Sequence, residues 1–294
     1  MRITNAMITD SMLESLRGNQ ERVEKLHRQL TTGKKLTRPS DDPASVGRAL
    51  AYRAGIAQGD QYIRTMDASL TWLNATDSTL DSAIKGLQRG RELAVQGAND
   101  TLGTQQQQAI AAEVDQILNQ MIQLGNSSLR GQRLFAGLKT DTNPFTAVGT
   151  PATSVTYTGD TSQMLREIDV GSTIAINVPG SAVFPSTFSA LIKLRNDLNA
   201  GNTSAVKTDI SGLDTAFDDI LGVRADVGAR INRIEAARER QEDLQVRMKD
   251  LSSKTEDVDL EEAISQFAVE QTAYQSALAA GAKAVQPSLL DYLR

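Results

Sequence analysis

Few residues of this 294-residue chain could carry catalysis. A nucleophilic triad needs a general base, and the only histidine is His27, which lies between Leu26 and Arg28 in a patterned helix. We interpret it as a surface histidine. The chain contains no cysteine, so thiol nucleophiles, disulfides and zinc–thiolate sites are excluded. This composition suits a protein that must stay unfolded, or cross between redox compartments, without cross-linking.

Three pairs of carboxylates could in principle bind a cation, at positions 41–42, 218–219 and 261–262. No glycine-rich loop or further acidic ligand completes a calcium loop around them, so each pair is interpreted as a helix start or a solvated face. The chain also lacks a glycine-rich phosphate loop, a zinc-ligand spacing and a nucleophile elbow. We therefore predict no enzyme, with no catalytic residue, cofactor or metal.

The basic run Arg130-Gly131-Gln132-Arg133 follows a predicted helix and lacks interleaved aromatic residues. It therefore predicts a turn with solvated arginines instead of a nucleic-acid site. The net charge of −5, without a dense Lys/Arg cluster, also argues against duplex DNA or an anionic membrane as a partner. No stretch approaches 18 consecutive apolar residues, and the first residues lead into a polar heptad pattern. We expect a soluble chain without a cleaved signal peptide.

Both ends of the chain carry heptad patterns, in residues 7–30 and 264–285. Alternating steps of three and four residues place apolar side chains at Met12, Leu16, Val23, Leu26, Leu30, Ile264, Phe267, Tyr274, Leu278 and Val285. A lone helix cannot bury such a stripe, so the two ends need each other or neighbouring subunits. Asn19 and Gln271 interrupt the stripes, where a polar residue can select register. An ordinary packed helix pair would give the same periodicity.

The prolines leave two uninterrupted blocks, 44–143 and 186–286, which predict long helices. Asp42 is placed to cap the first helix, with Pro43 at its first helical position. Residues 99–103 break this helix, and Thr104 with Gln107 has capping-box spacing before a second one. Since the connection is short, these two helices should form an antiparallel hairpin.

The second block predicts a third long helix, in which a seam from Leu244 to Val258 is one residue out of step with the preceding seam. Between the blocks, Gly, Thr, Pro and Ser increase, and β-patterned runs occur at 154–158, 164–169 and 173–177. Aromatic residues are only 4% of the chain, which favours slim helices. The predicted fold class is mainly α, a long-helix coiled-coil bundle formed by both terminal thirds, with a small β-rich central insertion.

Several segments resemble bacterial flagellins and their hook-associated relatives. Residues 30–36 (LTTGKKL) and 40–44 (SDDPA) are similar to the family's segment joining its innermost helix to the next domain. Residues 87–99 (LQRGRELAVQGAN) resemble the family's helix-end signature. Residues 257–260 (DVDL) and 266–285 extend the resemblance to both terminal thirds.

Further details are more similar to hook-associated members than to filament flagellins. They are residues 134–137 (LFAG), residues 143–145 (NPF), the small insertion and the ending at 288–294. The resemblance implies a secreted structural subunit of the flagellum, exported unfolded through the type III apparatus and assembled between hook-associated protein 1 and the flagellin filament. It also implies an export chaperone that binds the face of Phe267, Tyr274 and Leu278 before secretion.

This resemblance implies three regions. Residues 1–38 and 259–294 are expected to form paired terminal helices in an inner polymerisation domain, 39–139 and 187–258 a long helical bundle, and 140–186 a small β-rich outer domain. We hypothesise that the terminal helices are poorly ordered in the monomer and pair when a ring of copies assembles. Two alternatives remain open, filament flagellin itself and a cytoplasmic coiled-coil scaffold that forms discrete dimers.

Overall fold

The computed structural model describes residues 5–285. Its helices are α1 (Asn5–Thr32), α2 (Pro43–Gly97), α3 (Thr104–Gly125), α4 (Pro185–Asn199), α5 (Thr203–Glu256) and α6 (Leu260–Val285), with a 3₁₀ turn at Gly180–Ala182. No helix in this described part is long and apolar enough to cross a membrane. The predicted mainly α fold class with a small β-rich middle is confirmed.

The chain divides into two compact units. The terminal unit comprises residues 1–58 and 243–294, and the central unit comprises residues 59–242. Helices α2 and α5 each contribute to both units, so the division falls inside these two helices.

In the central unit, α2 and α3 form the predicted antiparallel hairpin. The Arg89 Nε donates to Glu113 Oε1 at 2.9 Å. Gly86 lies against Met121, where an added Cβ would come within 2.2 Å of the methionine Cε. The apolar seam is fully buried along these helices, at Leu73, Leu80, Leu87, Val114, Leu118 and Met121. The three-four periodicity therefore identified the core-facing side of both helices.

One of the two predicted helix starts is confirmed and the other is wrong. Asp42 Oδ1 accepts hydrogen bonds from the backbone N–H groups of Ala44 and Ser45, both at 3.1 Å, and α2 begins at Pro43. The capping box at Thr104 is absent. It would require Thr104 to be the N-cap, but Thr104 is already the first residue of α3. Gly103 in an extended conformation is the N-cap and makes no side-chain cap.

The second proline-free block contains two helices before the terminal one, where the sequence predicted one. Helix α4 begins at Pro185 and ends before Gly201, whose φ of +69° is the left-handed conformation usual just after a helix. Arg195 of α4 is buried and donates to Asp115 Oδ1 of α3 at 2.7 Å. Helix α4 thereby covers the hairpin.

The shifted seam predicted from Leu244 to Val258 is wrong as a buried stripe. Leu244 and Leu251 are exposed, whereas Gln245 and Glu256 are buried. The cause is polar pairing on the inward face, where Gln245 Nε2 lies 3.5 Å from the carbonyl oxygen of Ile56. Burial on this stretch follows hydrogen bonding instead of apolar character.

Three two-stranded antiparallel sheets complete the central unit. They pair β1 (Ser128–Leu129) with β2 (Gln132–Arg133), β3 (Phe145–Val148) with β4 (Ser154–Tyr157), and β5 (Leu165–Asp169) with β6 (Ser172–Ala175). The three predicted β runs coincide with β4, β5 and β6, while β1, β2 and β3 were not predicted. Arg130 and Gly131 form the turn between β1 and β2, so the predicted turn is confirmed.

Candidate assembly interface

Helices α1 and α6 pair antiparallel within the terminal unit. Arg22 Nε lies 3.2 Å from Glu270 Oε2 across the pair. Further along, Gly281 is buried against Met12, and an added Cβ at this glycine would lie 2.9 Å from the methionine Cε. The missing side chain lets the two helices approach closely at this point.

The lone histidine lies on the same helix pair. His27 is exposed, and its ring centroid is 6.2 Å from that of Phe267. This exposure agrees with its interpretation as a surface histidine.

The structure sorts the ten predicted seam residues into three groups. Met12, Leu16, Val23, Leu26, Leu30, Phe267 and Tyr274 are partly buried. Ile264 and Leu278 are 59% and 45% exposed. The side chain of Val285 lies outside the described residues.

The inward face of α6 is therefore rotated from the predicted stripe. It consists of Ala263, Phe267, Glu270, Tyr274, Ala277 and Gly281. Three of these residues are small and permit close helix approach, so Ile264 and Leu278 are turned away from α1. The predicted stripe overlaps this inward face at Phe267 and Tyr274 and misses it at Ile264 and Leu278.

The α1–α6 pair leaves six large apolar side chains exposed among its described residues. They are Met7, Leu13, Leu260, Ile264, Val269 and Leu278. Burying each large side chain of this kind stabilises an assembly by roughly 1.5–3 kcal/mol before entropy is subtracted. Ile264 and Leu278 are spaced so that they share one side of α6, and exposed apolar side chains that lie together usually mark an interaction surface.

The two connections that lead to the terminal helices pair with each other. We call residues 33–35 and 256–258 the clasp. The Lys35 N–H donates to the Glu256 carbonyl at 2.6 Å, and the Val258 N–H donates to the Gly33 carbonyl at 3.1 Å. These bonds form an antiparallel β-bridge, with Lys34 opposite Asp257. The clasp holds the start of α6 beside the end of α1.

Charged side chains reinforce the clasp. The Glu256 carboxylate is 4% exposed and accepts from Arg53 Nε at 2.9 Å and from Ser252 Oγ at 3.2 Å. The hydrogen bond from Arg53 holds the pKa of Glu256 below its usual value. Lys34 hydrogen-bonds to Asp257, which lowers the pKa of Asp257 and raises that of Lys34. A buried carboxylate supported in this way is costly to leave unpaired.

The carboxylate pairs considered as cation ligands have simpler structural roles. Residues 41–42 precede α2, where Asp41 Oδ2 accepts from the backbone of Arg38 at 2.8 Å. Residues 261–262 lie in the first turn of α6, which Asp259 caps. Residues 218–219 are exposed on α5. Across residues 5–285, no group of three or more potential ligands is assembled.

A helix pair formed by the two ends of the chain and a long helical hairpin define a mainly α class of protein, and sequence comparison identifies the family. The chain belongs to the bacterial flagellin family. Residues 3–140 match the bacterial flagellin N-terminal helical region, and residues 210–293 match the bacterial flagellin C-terminal helical region.

Individual relatives match over almost the whole chain. Flagellar hook-associated protein 3 of Salmonella typhimurium is 25% identical over 305 aligned residues, which cover 94% of each chain. The Escherichia coli protein of the same name is 24% identical with the same coverage. A flagellin of Listeria innocua is 24% identical over 300 residues, covering 100% of this chain and 99% of the flagellin.

Solved structures share the fold. Bacillus cereus FlgL matches with a TM-score of 0.61 and 25% identity, over 69% of this chain and 99% of that one. A putative flagellar hook-associated protein from Vibrio parahaemolyticus gives a TM-score of 0.67 and 19% identity, over 74% and 100%. The flagellar junction protein FlgL from Legionella pneumophila gives 0.62 and 18%, over 73% and 100%.

Proposed function

We propose that this chain is a structural, non-catalytic subunit of the bacterial flagellum that joins the hook to the filament. The observation that carries the proposal is the match to hook-associated protein 3 over 94% of both chains. The likeness to Bacillus cereus FlgL supports it at the level of the fold. Filament flagellin is the second candidate, because a Listeria flagellin also matches from end to end.

Assembly in this proposal depends on the uncovered surface of the terminal helices. The exposed Ile264 and Leu278 are available to neighbouring copies in a ring, and the α1–α6 contact holds them in place. Hook-associated protein 1 is the partner on the hook side and flagellin on the filament side. The regions 1–38 and 259–294 are assigned to the inner wall, 39–139 with 187–258 to the bundle, and 140–186 to the outside.

Export precedes this assembly. The chain is proposed to leave the cell unfolded through the flagellar type III apparatus, and its lack of cysteine supports a route without cross-links. An export chaperone would bind Phe267, Tyr274 and Leu278. Because α1 partly covers Phe267 and Tyr274, such a chaperone must bind α6 before α1 does.

Immunogold electron microscopy of intact flagella tests the location directly. The antibody is raised against residues 140–187, and a strain lacking the protein serves as the control. Gold confined to the hook–filament boundary is expected. Gold along the whole filament would instead assign the chain as a flagellin, and label only inside cells with bare flagella would favour a cytoplasmic scaffold.

A further inference from the structure

A positively charged cleft lies in the central unit. Helix α2, the β1–β2 turn and the β5–β6 hairpin enclose about 430 Å³. Arg64, Arg130 and Arg166 line it, one from each element, together with Trp72. None of the described residues lining the cleft is an aspartate or glutamate. Three arginines from three different elements thus line one cleft whose described lining includes no carboxylate.

Six of the nine other arginines in the central unit are paired with carboxylates, so the three cleft arginines differ from most of them. These six form ion pairs with aspartate or glutamate, namely Arg89, Arg91, Arg195, Arg224, Arg230 and Arg238. Within residues 5–285, the hydrogen bond of Arg64 goes to the neutral Gln61, and no ion pair is formed by Arg64, Arg130 or Arg166. The cleft therefore keeps three cations available for a ligand.

The β1–β2 turn and Trp72 complete the cleft wall. Arg130 and Gly131 have φ values of +53° and +85°, which a two-residue hairpin turn of this kind requires at both positions. Trp72 is 6% exposed, and its indole N–H is buried without a hydrogen-bond partner among the described residues. The cleft wall thus combines three guanidinium groups and a buried indole donor with neutral polar side chains and, among the described residues, no carboxylate.

Carboxylates are the ligands that suit such a site. Guanidinium groups bind them through two parallel hydrogen bonds, and the planar group also stacks on aromatic rings. The same chain displays Asp218 and Asp219 side by side on α5, both exposed and, within the described residues, without an ion-pair partner.

The acidic pair cannot reach the cleft of its own chain. Asp214 pairs with Arg91, and Arg224 pairs with Asp81, so residues 218–219 lie alongside α2 between these two levels. The α2 residues of the cleft are about 20 residues away along the helix, or roughly 30 Å at 1.5 Å per residue.

We propose that the arginine cleft of one copy binds Asp218 and Asp219 of a second copy of this chain. The proposal rests on the proposed function, since a ring subunit must contact its own copies. The contact joins two different surfaces, so it is head-to-tail, and repeating it generates rings or helical arrays. The offset between the two surfaces along α2 makes neighbouring copies staggered instead of level.

Trp72 is the only tryptophan of the chain, so its fluorescence reports on the cleft. The full-length protein is titrated with a second full-length copy carrying Trp72→Phe, which is silent at the wavelengths used. We expect a saturable change in Trp72 emission. The change should weaken at least tenfold when the titrant also carries Asp218→Asn and Asp219→Asn, because both carboxylates are then neutral.

Matched variants separate this contact from general charge effects. A titrant with Glu235→Gln and Glu239→Gln loses two exposed charges elsewhere on α5 and should behave as the parent does. In the fluorescent copy, Arg64→Gln with Arg166→Gln should abolish the response while circular dichroism stays unchanged.

Three outcomes would overturn the proposal. They are no emission change up to millimolar titrant, an equal change with the Asn variant, or saturation by sodium acetate or sulfate alone, which would show a small-anion site. If immunogold labels the hook–filament boundary but Trp72 fluorescence does not change, only the cleft contact is overturned. If Trp72 fluorescence changes but immunogold labels the whole filament, only the junction role is overturned.

Discussion

The central and terminal units differ in what their helices leave uncovered. In the central unit, Leu80 of α2 and Leu118 of α3 are fully buried, and α4 covers the hairpin they form. In the terminal unit, α1 and α6 cover only one side of each other, and Ile264 and Leu278 remain exposed. We therefore expect the central unit to be the more stable of the two in the monomer, and the terminal helices to gain stability when neighbouring copies cover these side chains.

Hydrogen exchange of the monomer provides the largest expected contrast. Amides of residues 7–30 should exchange at least about 1000-fold faster than those of residues 63–98, because α1 opens locally while α2 opens only with its core. Mass spectrometry of peptic fragments measures both segments in one sample. Equal protection would show that the terminal helices are already stable in the monomer.

A matched pair of leucine truncations sharpens the comparison. Leu80→Ala should lower the free energy of unfolding by roughly 3 to 4 kcal/mol, because it leaves a cavity in the core. Leu278→Ala should change it by less than about 0.5 kcal/mol, since the side chain is exposed. Urea denaturation followed by circular dichroism gives both values. A large loss of unfolding free energy in Leu278→Ala would show that this side chain stabilises the monomer. That result would contradict the proposal that this face acts only in assembly.

Loss of the buried charge in the clasp should have a somewhat smaller effect on stability than Leu80→Ala. Glu256→Gln should destabilise the terminal unit by about 3 kcal/mol, because Arg53 and Lys34 lose their shared carboxylate. Exchange of the amides in residues 33–35 measures the local opening. Glu261→Gln, which removes an exposed charge on α6, is the control and should leave that exchange unchanged.

The clasp should also respond to pH in a defined direction. The pKa values of Glu256 and Asp257 are lowered on folding, so their contribution is complete above the usual values of 4.5 and 3.8 and disappears as the pH falls through the lowered values. The pKa of Lys34 is raised, so its contribution is present below 10.5 and is lost as the pH rises above the raised value. Glu256→Gln should flatten the acid limb of this profile.

Chaperone binding provides the smallest expected difference. Phe267→Asp with Leu278→Asp should weaken co-purification with the export chaperone at least about 100-fold, because both changes place charge on the apolar face. Ser265→Asp with Ser276→Asp adds the same charge on the opposite side of α6 and should have no effect. Unchanged affinity of the first variant would show that the chaperone binds elsewhere.

Periodicity was sufficient to predict the long helices, because a seam such as Leu73, Leu80 and Leu87 repeats over many turns. Its stripe on α6 matched only in part the side that meets α1, which includes Phe267 and Tyr274 but not Ile264 or Leu278. That side is set by Ala263, Ala277 and Gly281, whose small size permits close packing but contributes little to an apolar pattern. The sequence located the residues of this interface, and the three-dimensional packing determined their partners.

The sequence did not predict features that depend on one residue or on segments distant along the chain. The break between α4 and α5 depends on the left-handed Gly201, which a search for apolar repeats does not register. The arginine cleft brings together Arg64, Arg130 and Arg166 from three separate elements, so no local motif marks it. The positive run at 130–133 was the one available signal, and its turn was predicted without the cleft.

The pairing of Arg22 with Glu270 closes a loop of 248 residues. Contacts so distant along the chain carry a large loop-closure entropy and form late in folding, after local contacts such as the α2–α3 hairpin. A chain that emerges unfolded should therefore refold from its middle towards its ends. The last surfaces to become complete would then be those that contact the next molecule. The order of folding would thus determine when a subunit can bind the next one.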